Sequence, residues 1–166
     1  MTPAAQLFTI GHSNHTIEAF IALLKQHQIA LVVDVRSQPY SQWATQFNRE
    51  LLQHDLIAAG LGYHYLGDVL GGRPRNPKLF DHGQDRPNDT RMARDPGYLL
   101  GIDRLLELVA SQRLAVMCSE GDHHHCHRHL LITQTLVEQG VRVLHIEPDG
   151  GLAEGTLEPQ QLTLFG

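Results

Sequence analysis

The segment at residues 118–128, with the sequence CSEGDHHHCHR, holds the highest density of chemically versatile side chains in the chain. A cysteine near the start of a helix is stabilised as thiolate by the helix dipole, and a nearby arginine adds to that effect. Cys118 and Arg128 have this relation, and Glu120 has the side chain of a general acid or base. Arg128 and the backbone N–H groups of a helix start also bind phosphate or carboxylate. The segment therefore predicts a reactive site with an anion-binding element.

Two shorter segments carry polar side chains of the same kind. Gly11 is followed by His12, Ser13 and Asn14, and histidine is the side chain most easily tuned for proton transfer. Farther along, the segment Asp-Val-Arg at residues 34–36 places an acid and a base two positions apart, on one side of an extended chain. These three segments are the candidate sources of catalytic and binding groups.

Each segment also has an ordinary structural interpretation. Cys118 is also expected as a small buried residue, since cysteines are among the most buried residue types. Asp34 and Arg36 commonly pair with each other or cap neighbouring loops. The histidines at 123–125 are typical of a solvated loop, or of a site for zinc or another divalent metal with Cys118 and Cys126. The spacing Cys-x7-Cys is wider than that of zinc knuckles.

The elements that must position these segments follow from apolar runs. Strands are predicted at residues 7–10, 30–35, 63–66, 114–117 and 141–146, and helices lie between them after residues 16, 48, 95 and 126. Residues 67–94 lack a sustained period, and we expect one long irregular excursion there. Alternating strands and helices predict a single α/β domain with a mainly parallel sheet of about five strands and helices on both faces. His12, Asp34 and Cys118 each follow a strand end, where such sheets form their sites.

Composition bounds the class of protein. The chain has 166 residues, 42% of them hydrophobic and 19% charged, which is typical of one globular domain with a core of its own. Two cysteines and the absence of an apolar signal or membrane-length run indicate a cytoplasmic location without a structural disulfide. The net charge of -5 argues against a general nucleic-acid coat protein. The excursion nevertheless concentrates six cations, which are Arg73, Arg75, Lys78, Arg86, Arg91 and Arg94.

The motifs together resemble one family, the bacterial and archaeal proteins grouped as domain of unknown function 488 (DUF488). The resemblance rests on these segments and on three further motifs: Phe47-Asn48, a tyrosine strand followed by Leu70-Gly71-Gly72, and Met117-Cys118 leading to Cys126-His127-Arg128. It extends over about residues 7–146, so residues 1–146 are assigned to a DUF488-like domain. The resemblance implies an enzyme-like site without naming its reaction. A more distant similarity to rhodanese-like domains lacks their short loop from cysteine to arginine, because Arg128 lies ten positions after Cys118.

Residues 147–166 are expected to form a flexible tail. Residues 147–159 are rich in Gly, Pro and Glu, as in a tether. The end of the tail resembles the pentapeptide by which bacterial DNA polymerases and repair proteins bind the sliding clamp. In such peptides apolar anchors fill a groove and a glutamine fixes the orientation. The residues that carry this resemblance are Gln161, Leu162, Leu164 and Phe165.

These observations predict a hydrolase that processes or repairs nucleic acid, of glycosylase or nuclease type, tethered to the sliding clamp. The expected catalytic residues are His12, Asp34, Cys118 and Glu120. The expected substrate-binding residues are Ser13, Asn14, Arg36, Asn48, Tyr63, Tyr65 and Arg128. No organic cofactor is predicted, because the Gly-rich dinucleotide pattern is absent from the sequence. Two alternatives stay open: a small-molecule enzyme of sulfurtransferase or phosphatase type that uses Cys118, and a non-catalytic accessory module bound to the clamp.

Overall fold

The computed structural model describes residues 5–120 and 127–157, with residues 127–130 described as backbone only. In this part of the chain, six strands form one sheet in the order β3-β2-β4-β1-β5-β6. The first five strands are parallel, and β6 is antiparallel to β5. The strands are β1 (Gln6–Gly11), β2 (Leu31–Asp34), β3 (Gly62–Tyr65), β4 (Leu114–Cys118), β5 (Arg142–Ile146) and β6 (Leu152–Glu154).

Six α-helices connect the strands in the described residues. They are α1 (Ile17–Gln26), α2 (Arg49–Ala58), α3 (Gly67–Leu70), α4 (Asp89–Arg94), α5 (Pro96–Ser111) and α6 (His127–Glu138). Thr16 caps α1 by accepting a hydrogen bond from the Ala19 N–H, and Asp95 caps α5 from the position before Pro96. Both caps confirm the predicted helix starts, since a side-chain oxygen there satisfies an otherwise unpaired backbone N–H.

The strands bury alternate side chains on the two faces of the sheet. On one face Leu7, Val33 and Val116 belong to a cluster that also contains residues of α5 and α6. On the other face Phe8 and Val32 belong to a cluster with residues of α1 and α2. Near-continuous apolar strands are required because both faces are covered. The predicted α/β class, parallel sheet and two helical layers are confirmed.

The end of the sheet differs from the sequence expectation. A tether was expected over residues 147–159, but Leu152–Glu154 forms β6 on the edge of β5. The Gly155 N–H donates to the Val143 carbonyl, and the Gln134 amide donates to the Thr156 carbonyl. The expectation was wrong for residues 152–156, because a three-residue strand is too short to show alternation. The turn before it, with Gly150 at φ +93°, is the hairpin signal that marks the pairing.

The excursion at residues 67–94 also has more structure than expected. It contains α3, α4 and a 3₁₀ turn at Pro77–Leu79. Leu70, Leu79 and Met92 are buried in the core beside α5. The excursion therefore covers the core beside α5 and is anchored there by these three apolar side chains. None of the helices in the described residues has the length and apolar character needed to span a membrane.

Candidate functional site

The end of β2 carries a closed network around the Asp34 carboxylate, which is completely buried. Arg36 donates from Nε to Oδ1 and from Nη2 to Oδ2, both at 2.9 Å, and its backbone N–H donates to Oδ1 at 3.1 Å. The Tyr63 hydroxyl donates to Oδ2 at 2.6 Å. A buried carboxylate is tolerated only when it is paired and hydrogen-bonded in this way. The predicted proximity of Asp34 and Arg36 is thus a bidentate ion pair.

Arg36 is only 3% exposed, yet it retains donors beyond the Asp34 pair. Its Nη2 also donates to the Phe47 carbonyl at 2.8 Å, whereas Nη1 has no acceptor among the residues that the structure describes. Nη1 is also not fully buried. Among the described residues, Thr133 Oγ1 is the one fully buried side-chain N or O atom without a hydrogen-bond partner. The two N–H groups of Nη1 are therefore unused donors on a positioned arginine, and a guanidinium with unused donors can bind an anion.

His12 lies beside the same network. Its ring stacks on Phe47 with centroids 4.5 Å apart, and its Nδ1 donates to the Ser13 carbonyl at 2.8 Å. Because Nδ1 is the donor, Nε2 carries the acceptor lone pair. Desolvation by burial, reinforced by the nearby Arg36 charge, lowers the pKa of His12 to about 4. The ring is therefore a neutral hydrogen-bond acceptor at pH 7.

The loop after His12 is fastened to the end of β4. The backbone N–H groups of His12 and Ser13 donate to the carbonyls of Cys118 and Ser119, each at 2.9 Å. Ser13 has φ 46°, a left-handed conformation that is rare for a residue other than glycine. The exposed Asn14 follows immediately. These contacts fix the position of the His12 ring and expose the two polar residues that follow it.

The end of β4 is built differently. Cys118 is completely buried, and its thiol donates to the Glu120 carbonyl at 3.5 Å. The Glu120 side chain is exposed. A nucleophilic role for Cys118 requires a change in this loop, because a buried thiol that donates a hydrogen bond is not a thiolate open to substrate.

The two tyrosines of β3 and Asn48 hold parts of the site together. The Tyr65 hydroxyl donates to the Arg36 carbonyl at 2.8 Å, and the Arg49 guanidinium lies 4.2 Å from the Tyr65 ring centroid. One face of that ring is thus covered by a cation. Asn48 accepts from the Ser41 N–H at 2.7 Å. These groups, predicted to bind substrate, make framework contacts.

Sequence reasoning missed residues 37–46 of the segment that frames the site, and it named the last residue, Phe47, only as part of a family motif. Phe47 links His12 and Arg36, although nothing in its local sequence marks that role. Trp43 in the same segment is 94% exposed. The signal for this segment was the Gly71 motif: a Cβ at Gly71 would lie 2.2 Å from Ser37 Oγ, so only glycine permits the approach.

Some predicted residues fall outside what the structure describes. They are Cys126, the Arg128 side chain, and the tail residues Gln161, Leu162, Leu164 and Phe165. Within residues 5–120 and 131–157, no cluster of three or more His, Cys, Asp or Glu side chains has a metal-binding arrangement. The predicted residues that the structure brings together are His12, Asp34, Arg36 and Tyr63.

Comparison with known proteins adds one finding. No curated protein and no solved structure shows a significant match to the chain. The sequence pattern of the family "Domain of unknown function DUF488" matches residues 16–135, which is well over half of the chain. That range contains Asp34, Arg36 and Cys118, while His12 precedes it. The chain belongs to the family described as domain of unknown function DUF488.

Proposed function

We propose that the chain is a hydrolase acting on phosphoester groups of nucleic acid or nucleotides, with Arg36 as the phosphate-binding residue. The observation that carries this proposal is the Nη1 group of Arg36. The guanidinium is held by Asp34 and Phe47 through Nε and Nη2, and Nη1 has no acceptor among the described residues and lies beside the neutral ring of His12. A preorganised guanidinium in a largely dry site stabilises the charge that develops on phosphate oxygens during transfer.

His12 is the proton acceptor of the proposed reaction. Water attacks phosphorus and forms a new P–O bond while the bond to the leaving oxygen breaks. Nε2 takes the proton from the attacking water, and the leaving oxygen takes a proton from solvent, so charge and atoms balance. The tautomer is favourable, because Nδ1 is committed to the Ser13 carbonyl and leaves Nε2 as the acceptor.

Phosphate binding would also increase the basicity of His12. A pKa of about 4 makes the ring neutral but weakly basic, and the Arg36 charge is one cause of the lowering. An anion on Nη1 cancels that repulsion and adds a negative charge nearby, which raises the pKa of His12 towards the working pH. The substrate itself would thereby activate the base.

Asp34 takes a positioning role in this proposal, in place of the acid–base role expected from the sequence. Its two oxygens accept four hydrogen bonds from Arg36 and Tyr63. No lone pair remains for a substrate proton while this network is closed. The carboxylate fixes the plane of the guanidinium and so directs Nη1.

The basic excursion supports a polyanionic substrate. Five cations of the excursion are exposed and form no ion pair with another described residue: Arg73, Arg75, Lys78, Arg86 and Arg94. Arg91 is different, since it pairs with Asp81 at 2.8 Å and binds the Phe80 carbonyl. The excursion carries six cations and four aspartates, so its net charge is +2 on a protein of net charge -5.

The test is phosphate binding observed through His12. Inorganic phosphate, and then a short DNA oligonucleotide, should raise the pKa of the His12 ring in an NMR titration of the wild-type protein. Arg36→Gln should abolish the shift together with turnover on an oligonucleotide substrate. Arg104→Gln, which removes an exposed arginine of α5, is the matched control and should change neither. An unchanged pKa of His12 at saturating phosphate would overturn the proposal.

Attachment to the bacterial DNA sliding clamp is proposed for the tail. Support comes from the sequence alone, namely Gln161, Leu162, Leu164 and Phe165 at the end of the chain. Deletion of residues 161–165 should abolish binding to purified clamp and leave the phosphate effect on His12 intact. Replacement of Leu164 and Phe165 by alanine should remove most of the affinity, because few anchors dominate such interfaces. Full affinity of the deleted protein for the clamp would disprove the assignment.

A further inference from the structure

The loop at residues 37–44, named the aromatic loop, presents two aromatic rings to solvent. Trp43 is 94% exposed and Tyr40 is 54% exposed. A tryptophan so exposed gives up a large hydrophobic gain, and exposed aromatic clusters mark binding surfaces. Neither ring belongs to the core, so both are available to stack on a ligand.

The aromatic loop is held rigidly although it is on the surface. Ser41 Oγ accepts from the N–H groups of Trp43 and Ala44, and the Ser41 N–H donates to Asn48. Tyr40 is fixed by its hydroxyl, which donates to Glu50 at 2.7 Å. A loop pinned in this way presents its rings with little further loss of conformational entropy on binding.

The loop also lies next to the proposed catalytic groups. Ala44 begins the 3₁₀ turn Thr45–Phe47, and Phe47 stacks on His12. From the dimensions of the chain, the Trp43 backbone lies within about 10 Å of that of Phe47. A ligand on Trp43 can therefore extend to His12 and Arg36.

Two arginines lie beside the first half of the aromatic loop. At its start, Ser37 Oγ accepts from the backbone N–H of Arg73, the first residue of the unpaired basic set. The Arg49 N–H donates to the Pro39 carbonyl, so that residue lies beside the loop as well. Glu50 is the acidic neighbour, and its Oε1 accepts a hydrogen bond from the Tyr40 hydroxyl. Aromatic rings beside two arginines match a ligand that alternates flat bases with phosphates.

We propose that Trp43 and Tyr40 form a stacking platform for the bases of single-stranded nucleic acid, which leads the strand to Arg36 and His12. The assignment to a nucleic-acid substrate rests on the proposed function. Single strands fit because their bases have open faces for stacking, whereas the faces in a duplex are already stacked. In this proposal the platform takes over the contact with the bases, and Tyr63 and Tyr65, which were expected to bind substrate, support the site.

The test uses the fluorescence of Trp43, which is the one tryptophan of the chain. A short oligothymidylate should quench its emission on titration, and the duplex of the same length should quench it far less. Trp43→Ala, followed by anisotropy of a labelled oligonucleotide, should weaken binding roughly 5- to 100-fold, since each stacked base contributes strongly. Trp43→Phe should retain most of the affinity. Leu100→Ala, a change of a 68% exposed apolar residue on α5, is the control and should have no effect.

Several outcomes would overturn the platform. Equal quenching by duplex would do so, and so would heparin, a polyanion without bases, quenching as strongly as the oligonucleotide. A concentration-dependent shift in size that Trp43→Ala removes would assign the rings to contact with a second copy of the chain. The two proposals fail separately: phosphate acting on His12 without quenching would leave the hydrolase and remove the platform. Quenching without any effect of phosphate would leave the platform and remove the hydrolase.

Discussion

Two neighbouring parallel strands end in buried ionisable side chains, and they hold them in different ways. Asp34 at the end of β2 accepts hydrogen bonds from Arg36 and from Tyr63 of β3. Cys118 at the end of β4 donates its thiol proton to the carbonyl of Glu120, two positions further on. The first arrangement is a charge network assembled from separate elements, and the second includes a local contact within one loop. Burial is common to both strand ends, whereas a held charge with donors left over belongs to the β2 end.

The largest expected effect is on stability at the β2 end. Asp34→Asn should lower the free energy of unfolding by about 3 to 5 kcal/mol, because it leaves the buried Arg36 charge without its carboxylate. Urea denaturation of the purified variant measures the change. A loss below about 1 kcal/mol would mean that the network is more open to solvent than its burial indicates.

The second largest expected effect is a pH dependence of the free energy of unfolding, and it originates in His12. Its folded pKa of about 4 lies below the unfolded value of 6.5, so the unfolded state binds the proton more readily between these values. Above pH 6.5 the ring is neutral in both states and does not reduce the free energy of unfolding. As the pH falls from 6.5 towards 4, protonation of the unfolded state reduces that free energy progressively. At pH 4 the loss from this group is about 3 kcal/mol.

His12→Asn separates this contribution from that of other titrating groups. The variant should show a shallower fall of unfolding free energy between pH 7 and pH 4 than the wild type, measured by denaturation at each pH. Identical slopes in the two proteins would show that the folded pKa of His12 is close to its ordinary value.

Tyr63→Phe tests the third member of the β2 network. It removes the hydroxyl that donates to Asp34 at 2.6 Å, and a hydrogen bond to a buried charge contributes about 1.5 to 3 kcal/mol. Tyr40→Phe is the matched control, because the Tyr40 hydroxyl also donates to a carboxylate, but at the surface. The control should change the unfolding free energy by less than about 0.5 kcal/mol. Equal losses in the two variants would mean that the β2 network has no special energetic weight.

Structural features that depend on short-range periodicity were predicted correctly from the sequence. The alternation of strands and helices correctly gave the parallel sheet, and the spacing of Asp34 and Arg36 correctly gave two side chains on one side of the chain end. Convergence of His12 with this pair followed from the rule that parallel strands end at one edge. These features depend on local pattern and on topology.

The sequence could not predict contacts that depend on long loop closure. Phe47 meets His12 across 35 positions of chain, and the stacking of the two rings has no local signature. The occupancy of the Asp34 oxygens is also a matter of packing: Asp34 was expected to be catalytic, and neighbouring donors bind both of its oxygens. A pattern of residue types shows which side chains meet at an edge, and only packing shows which of them keep an open lone pair or donor.

The smallest expected effect is at the β4 end. Glu120 is exposed, so Glu120→Gln removes a solvated charge and should change the unfolding free energy by less than about 0.5 kcal/mol. Turnover on an oligonucleotide substrate should also change little, because the proposed chemistry uses His12 and Arg36. The kinetic comparison is with Arg36→Gln, which should abolish turnover. If Glu120→Gln instead abolishes turnover while the protein stays as stable as the wild type, the catalytic acid or base belongs to the loop after β4. The β2 network would then be a support for that loop, and the roles of the two strand ends would be exchanged.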